Sequence, residues 1–341
     1  MTSPTQVVSS GMSTDRPRVV SSEASTDHPR VIASNNPPNP APAKRASLRG
    51  ALRAYLAAAR PQHWLKNVLV FLPLVAAHKF YTPHLLLKGL AAFVAFCLCA
   101  SSIYLFNDLR DVAADRAHPQ KRLRPLASGR ISENGTLAVA AALILAALAL
   151  GYPFGVPFLA VIVFYYLTMV AYSLGAKSIP ILDVLILACG YALRVVAGAV
   201  ATGMPWSPWL TAFCVFLFFS LALIKRYAEL ASAPPGTGGA EPHVRGYLQQ
   251  DGVLLVAQGI AAGYLSVLVL ALYTNTRMVQ APSGQYELFW VICLILLYWI
   301  NHMWLMAHRG RIQQDPVTYA LKDPLSRVLV AIALVVTLLA M

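Results

Sequence analysis

Nine apolar stretches, near 66–80, 85–106, 135–152, 155–174, 180–203, 207–224, 253–274, 286–306 and 325–341, alternate with short polar segments. Most approach the roughly 20 residues that a helix needs to cross a bilayer. The pattern predicts an all-α polytopic membrane protein with nine transmembrane helices. Residues 1–50 hold no such stretch and no cleavable signal, so insertion is expected to start at the first internal span.

Composition sharpens this picture. Of 341 residues, 57% are hydrophobic and 12% charged, about half the charge of an ordinary soluble domain. The net charge of +13 does not call for nucleic acid as a partner, because basic loops and anionic membrane lipids account for it. Lys and Arg collect before Lys66 and in the loops after spans two, four, six and eight. The alternate loops hold only Lys79, Lys88 and Arg277. Positive residues favour the cytoplasmic side, so the N-terminus is expected inside the plasma membrane and the C-terminus outside. The cysteines, Cys97, Cys99, Cys189, Cys214 and Cys293, all lie in apolar stretches without metal-ligand spacing, which suits small buried side chains.

The chain divides into a tail, 1–50, and a membrane-embedded domain, 51–341. In the tail, Ser13-Thr14-Asp15-Arg16-Pro17-Arg18-Val19-Val20 recurs as Ser25-Thr26-Asp27-His28-Pro29-Arg30-Val31-Ile32. A polar, Pro-rich segment of this kind cannot bury enough apolar surface to offset its ordering entropy, and disorder is expected.

The densest acidic cluster follows span two, at Asn107, Asp108, Asp111 and Asp115. On a continuing helix, spacings of three, four and seven place all four in one sector. Three carboxylates there repel one another unless a cation intervenes, and Mg2+ takes one or two carboxylates together with substrate phosphates. Arg116, Lys121 and Arg122 follow, suited to phosphate oxygens or to anionic lipid. Lys66 precedes span one, and Tyr172 and Lys177 close span four. Asp183 and Arg194 sit about three turns apart inside span five, either facing a cavity or bonding between helices. Lys225 and Arg226 end span six, four and three residues before Glu229. The charges gather at one side rather than at the midplane, which disfavours a transporter.

These residues resemble the UbiA-type prenyltransferase superfamily. Asn107, Asp108, Asp111 and Asp115 match its first motif, N-D-x-x-D-x-x-x-D, over a likeness spanning about 55–341. The resemblance implies nine helices and a diphosphate substrate held by Mg2+. The second acidic motif expected after span six is replaced by Lys225-Arg226-Tyr227-Ala228-Glu229, and the family's Tyr-x-x-x-Lys element is stretched to Tyr172 and Lys177. Further stretches, Arg60-Pro61-Gln62-His63-Trp64-Leu65-Lys66-Asn67 and Pro119-Gln120-Lys121-Arg122-Leu123-Arg124-Pro125 among them, are similar to a branch that moves a 5-phosphoribosyl group from 5-phosphoribosyl diphosphate (PRPP) to decaprenyl phosphate, for cell-wall arabinan precursors. That likeness implies Mg2+ at Asp108, Asp111 and Asp115, with Asn107 on metal or phosphate. It implies catalytic stabilisation by Lys66 and Lys177, phosphate contacts from Arg116, Lys121 and Arg122, and acceptor binding by Lys225, Arg226 and Arg194. The alternative within the fold is an aromatic prenyltransferase using a prenyl diphosphate. The sequence leaves a homo-oligomer open.

Overall fold

The computed structural model describes residues 48–232, 243–280, 288–312 and 315–339. The expectations for the tail up to residue 47, its repeat included, lie outside the described residues.

Helix α1 (Leu48–Ala58) leads to a 3-10 helix (Pro61–Phe71) that runs into the short α2 (Leu72–Ala76). The first expected span is therefore not a regular α-helix. Pro73 has no N–H, and its ring would clash with the carbonyl four residues back. The junction is closed instead by a tighter bond from the Leu72 N–H to the Leu69 carbonyl.

Then come α3 (Pro83–Arg110), α4 (Val112–Ala117), α5 (Glu133–Gly151), α6 (Val156–Leu174), α7 (Leu182–Thr202) and α8 (Pro208–Ala231). Ser132 and Ser207 cap α5 and α8, each accepting from the N–H three residues on, at 3.1 and 3.2 Å, which satisfies an otherwise orphaned helix donor. A two-stranded antiparallel hairpin follows, β1 (His243–Val244) and β2 (Tyr247–Leu248). Helices α9 (Gly252–Gln280), α10 (Phe289–His308), α11 (Pro316–Lys322) and α12 (Pro324–Leu339) complete the chain.

Seven of the described helices, α3 and α5 to α10, are long and apolar enough to cross a membrane. The nine predicted from sequence would also need the segment 61–76 and the shorter α12. Many large apolar side chains point outward, Leu145 at 65% and Leu294 at 67% exposure, as befits contact with lipid rather than water. The chain is an integral membrane protein with an all-α fold.

Helix α7 lies at the centre, touching α3, α6, α8 and the 3-10 segment. Lipid is as apolar as the helix faces, so close packing and hydrogen bonds must hold such a bundle together. Gly198 lets the Val70 backbone approach; a Cβ there would stand 1.9 Å from the Val70 carbonyl oxygen. Ser220 of α8 donates to the Gly259 carbonyl of α9 at 2.7 Å and accepts from Trp304 of α10 at 3.1 Å, tying three helices with one hydroxyl.

Candidate active site

Helix α3 breaks at Asp111, where φ is −95° and ψ 6°, and α4 restarts at Val112. The four acidic-motif residues therefore do not lie on one continuous helix, and they part company. Asp108 is buried, accepting from Arg60 at 2.5 Å and from Arg124 at 3.4 Å. Asp115, also buried, accepts from the same Arg124 at 2.6 Å. Asp111 accepts from Lys177 at 2.9 and 3.0 Å and from the Asn107 amide at 3.1 Å. Only Asn107 and Asp111 of the motif line the adjoining cavity of about 410 Å³. Asp108 and Asp115 stand behind it and aim two arginines into it.

The cavity wall carries Arg60, Lys66, Lys121, Arg124, Lys177, Arg194, Lys225 and Arg245, against two carboxylates, Asp111 and Glu229. Tyr104, Tyr165, Tyr172 and Tyr191 fill the spaces between. The arrangement is an anion receptor with several separate cationic stations.

Its deepest cation is Arg194, 7% exposed. Its guanidinium donates to the Asn67 side chain at 2.7 Å, the Gly190 carbonyl at 2.5 Å and the Tyr165 hydroxyl at 2.7 Å, and lies over the Tyr165 and Tyr191 rings. All these partners are neutral, and among the described residues no carboxylate pairs with it. A buried charge without an opposite charge is costly, and an anion entering the cavity would relieve that cost.

Lys66 stands at the cavity's edge, 3.0 Å from Asp315 and over the Tyr191 ring. Burial alone would raise the Asp315 pKa, but the Lys66 and Lys225 ammoniums hold it below the usual carboxylate value. Nearby His63 is pushed down to about 4 by burial and by the charges of Lys66 and Arg60, so its ring is neutral at physiological pH. Beyond Lys66 and Tyr191 lies an apolar groove of about 340 Å³ lined by Leu69, Phe71, Leu72, Phe218 and Val317. Leu72 and Val75 are shared with a further apolar cavity of about 400 Å³.

Behind the wall, Arg226 is fully buried and donates to Asp183, Glu229 and Tyr172, while Tyr247 donates to the other Asp183 oxygen at 2.6 Å. Asp183 and Arg226 thus serve inter-helix bonding and do not face the cavity. Arg116 turns to Glu133 at the surface, and Arg122 is exposed; neither lines the cavity. Lys66, Asn107, Asp111, Lys121, Tyr172, Lys177, Arg194 and Lys225 do. Sequence reasoning passed over Arg245 and the tyrosines Tyr165 and Tyr191, which carry no motif and look like ordinary helix or loop positions, and it touched Tyr104 only within the stretch Tyr104–Asp108. It quoted Arg60 and Arg124 only as parts of longer stretches.

The family model described as the UbiA prenyltransferase family matches residues 65–322. The chain belongs to that family. Nodulation protein NoeC of Azorhizobium caulinodans is 35% identical over 272 residues, which is 79% of this chain and 87% of that protein. The uncharacterized protein y4nM of Sinorhizobium fredii is 37% identical over 81% of this chain, and the match spans only 53% of its length. Decaprenyl-phosphate phosphoribosyltransferase of Mycolicibacterium smegmatis is 41% identical over 180 residues, 52% of this chain and 57% of that enzyme. Among solved structures, a UbiA homolog from Archaeoglobus fulgidus bound to DMAPP and Mg2+ superposes with a TM-score of 0.61 at 17% identity, covering 83% of this chain and 99% of the other. At that identity the likeness concerns the UbiA fold alone. The cationic cavity of this UbiA family member adjoins the acidic motif at Asn107–Asp115.

Proposed function

We propose that the chain transfers the 5-phosphoribosyl group of PRPP to decaprenyl phosphate, or a similar polyprenyl phosphate, releasing diphosphate. The observation that carries this reading is the charge of the cavity wall: eight cations line it with Asp111 and Glu229, and Asp108, Asp115 and Asp315 pair with Arg60, Arg124 and Lys66 from behind, so three positive charges remain. A prenyl diphosphate brings one anionic group. A phosphoribosyl diphosphate with a lipid phosphate brings three, and three groups suit the separate stations. The place of a second acidic motif presents Lys225 and Glu229 to the cavity instead of paired aspartates, which favours phosphate there over another metal. The names of the relatives from M. smegmatis and Corynebacterium glutamicum, 41% and 39% identical over about half of this chain, point the same way.

A divalent cation, expected to be Mg2+, fits at Asn107 and Asp111, whose side chains face the cavity. Among the described residues no cluster of three or more acidic, histidine or cysteine side chains is built to hold a metal unaided. That suits Mg2+, which takes one or two carboxylates and completes its shell with substrate phosphates and water. When bound, it neutralises charge growing on the departing diphosphate. Lys177 and Lys121 stand beside this position, and Arg60 and Arg124 are fixed nearby by Asp108 and Asp115. These preset charges need no reorganisation during reaction. Lys66 and Arg194 orient the acceptor phosphate, with its prenyl tail in the adjoining apolar groove. An oxygen of that phosphate, already anionic at neutral pH, forms the new bond to ribose C1 as the bond from C1 to the diphosphate breaks. No general base is required. The cavity faces the cytoplasm of a cell with its N-terminus inside, where PRPP is a soluble donor.

The test incubates purified protein with polyprenyl phosphate, Mg2+ and radiolabelled PRPP, and counts label in the organic phase. Transfer that vanishes with EDTA and in Asp111→Ala is the expected result. No transfer by folded protein would overturn the assignment and direct attention to prenyl diphosphates with aromatic acceptors.

A further inference from the structure

The loop joining β1 to β2 is Arg245-Gly246, and both residues have positive φ, 53° and 83°. Two successive positive φ values mark the type I′ hairpin turn, whose first central position favours Asn, Asp or Gly. An arginine there is strained, and such strain persists where the surroundings over-determine it, most often at binding sites.

The surroundings here do so. Gly246 lies so close to the neighbouring loop that a Cβ would meet the Ser178 carbonyl oxygen at 2.6 Å. Tyr247 donates to Asp183 at 2.6 Å and accepts from the Ile181 N–H at 2.7 Å. The hairpin is thereby fastened to the start of α7, beside the loop that supplies Lys177. Its tip sends the Arg245 side chain to the cavity wall, where Arg245 donates to the Tyr172 hydroxyl at 2.7 Å and stands 3.9 Å from Glu229.

Charge then points to a ligand. Around this position three cations, Lys225, Arg226 and Arg245, meet two carboxylates, Glu229 and Asp183, so one positive charge is left over. The Tyr172 hydroxyl accepts from both Arg245 and Arg226. That occupies its two lone pairs and leaves its proton to donate. A surplus cation beside a spare hydroxyl donor suits a phosphate monoester, which a guanidinium fork matches in shape.

We infer that Arg245, held over the cavity by the strained hairpin, binds the C5 phosphate of the donor and selects for it. The inference rests on the donor assigned above. In that assignment Asn107, Asp111 and Lys177 face the diphosphate and Lys66 and Arg194 face the acceptor, which leaves Arg245 with Lys225 for the third phosphate.

The decisive variant is Arg245→Asn, because Asn is a residue the turn prefers and it removes the guanidinium without breaking the hairpin. Full-length purified protein is titrated with PRPP and, separately, with inorganic diphosphate, each with Mg2+, and its melting temperature is recorded. PRPP affinity is expected to fall about tenfold or more, the loss typical of one charge-assisted contact. Diphosphate affinity should stay level and the melting temperature should hold or rise. Unchanged PRPP binding, or equal losses for both ligands, would overturn the inference while leaving the donor assignment standing. Wild-type protein that binds no PRPP at all would overturn both.

Discussion

Lys66 and Asp315 are 249 residues apart in sequence and 3.0 Å apart in space. Their ion pair joins the 3-10 helix Pro61–Phe71 to the loop before α11, at the boundary between the polar cavity and the apolar groove. Because the Asp315 pKa is depressed in the folded protein, the pair stabilises the fold above the ordinary carboxylate pKa of about 4 and loses that contribution as pH falls through the lower folded value. Melting temperatures in detergent should therefore drop more steeply on acidification for wild type than for Asp315→Asn. Parallel curves would remove Asp315 from the acid response.

The acidic motif should split by phenotype. Asp111→Asn removes the carboxylate that faces the cavity, and transferase activity should fall by about a hundredfold or more, the scale of losing one electrostatic stabiliser, with little change in melting. Asp108→Asn leaves Arg60 without its buried partner, and Asp115→Asn leaves Arg124 only its longer contact to Asp108. Such losses cost about 3 kcal/mol, so thermal stability should fall together with activity. Melting curves and initial rates on the same preparations separate the two classes.

Metal affinity should depend on the substrate. With only Asn107 and Asp111 presented to the cavity, Mn2+ titrated as a spectroscopic stand-in should bind the protein alone weakly and bind tightly once inorganic diphosphate is added. Equal affinity in both conditions would show a complete protein-only metal site.

Two glycines should respond differently. Gly198→Ala would force a methyl group into the Val70 backbone, and overpacking of that kind costs about 1–3 kcal/mol or more. Gly175 has extended backbone, φ 179°, and open space around its Cβ position, so Gly175→Ala should stay within about 0.5 kcal/mol. Yield of folded protein and melting temperature read both.

The long helices were legible because apolar length is written directly in the sequence. The segment 61–76 was not, since hydropathy cannot distinguish an α-helix from the 3-10 path that Pro61–Phe71 takes. The acidic motif was legible as a site and misleading as a set. Its spacing presumes an unbroken helix, whereas the break at Asp111 turns two carboxylates toward arginines 48 and 9 residues away. Arg245 left no trace at all. Its importance comes from the conformation of a two-residue turn and from Glu229 and Tyr172, which only folding brings near.

The seam at Lys66 and Tyr191, where the charged chamber meets the apolar groove, has a kinetic consequence. An amphiphile reacting across it never leaves the bilayer, so its effective concentration is counted per unit of membrane area. Diluting the vesicles in buffer should leave the rate per enzyme unchanged with respect to the acceptor. Diluting the acceptor with inert phospholipid should slow it, although the tube holds the same number of molecules.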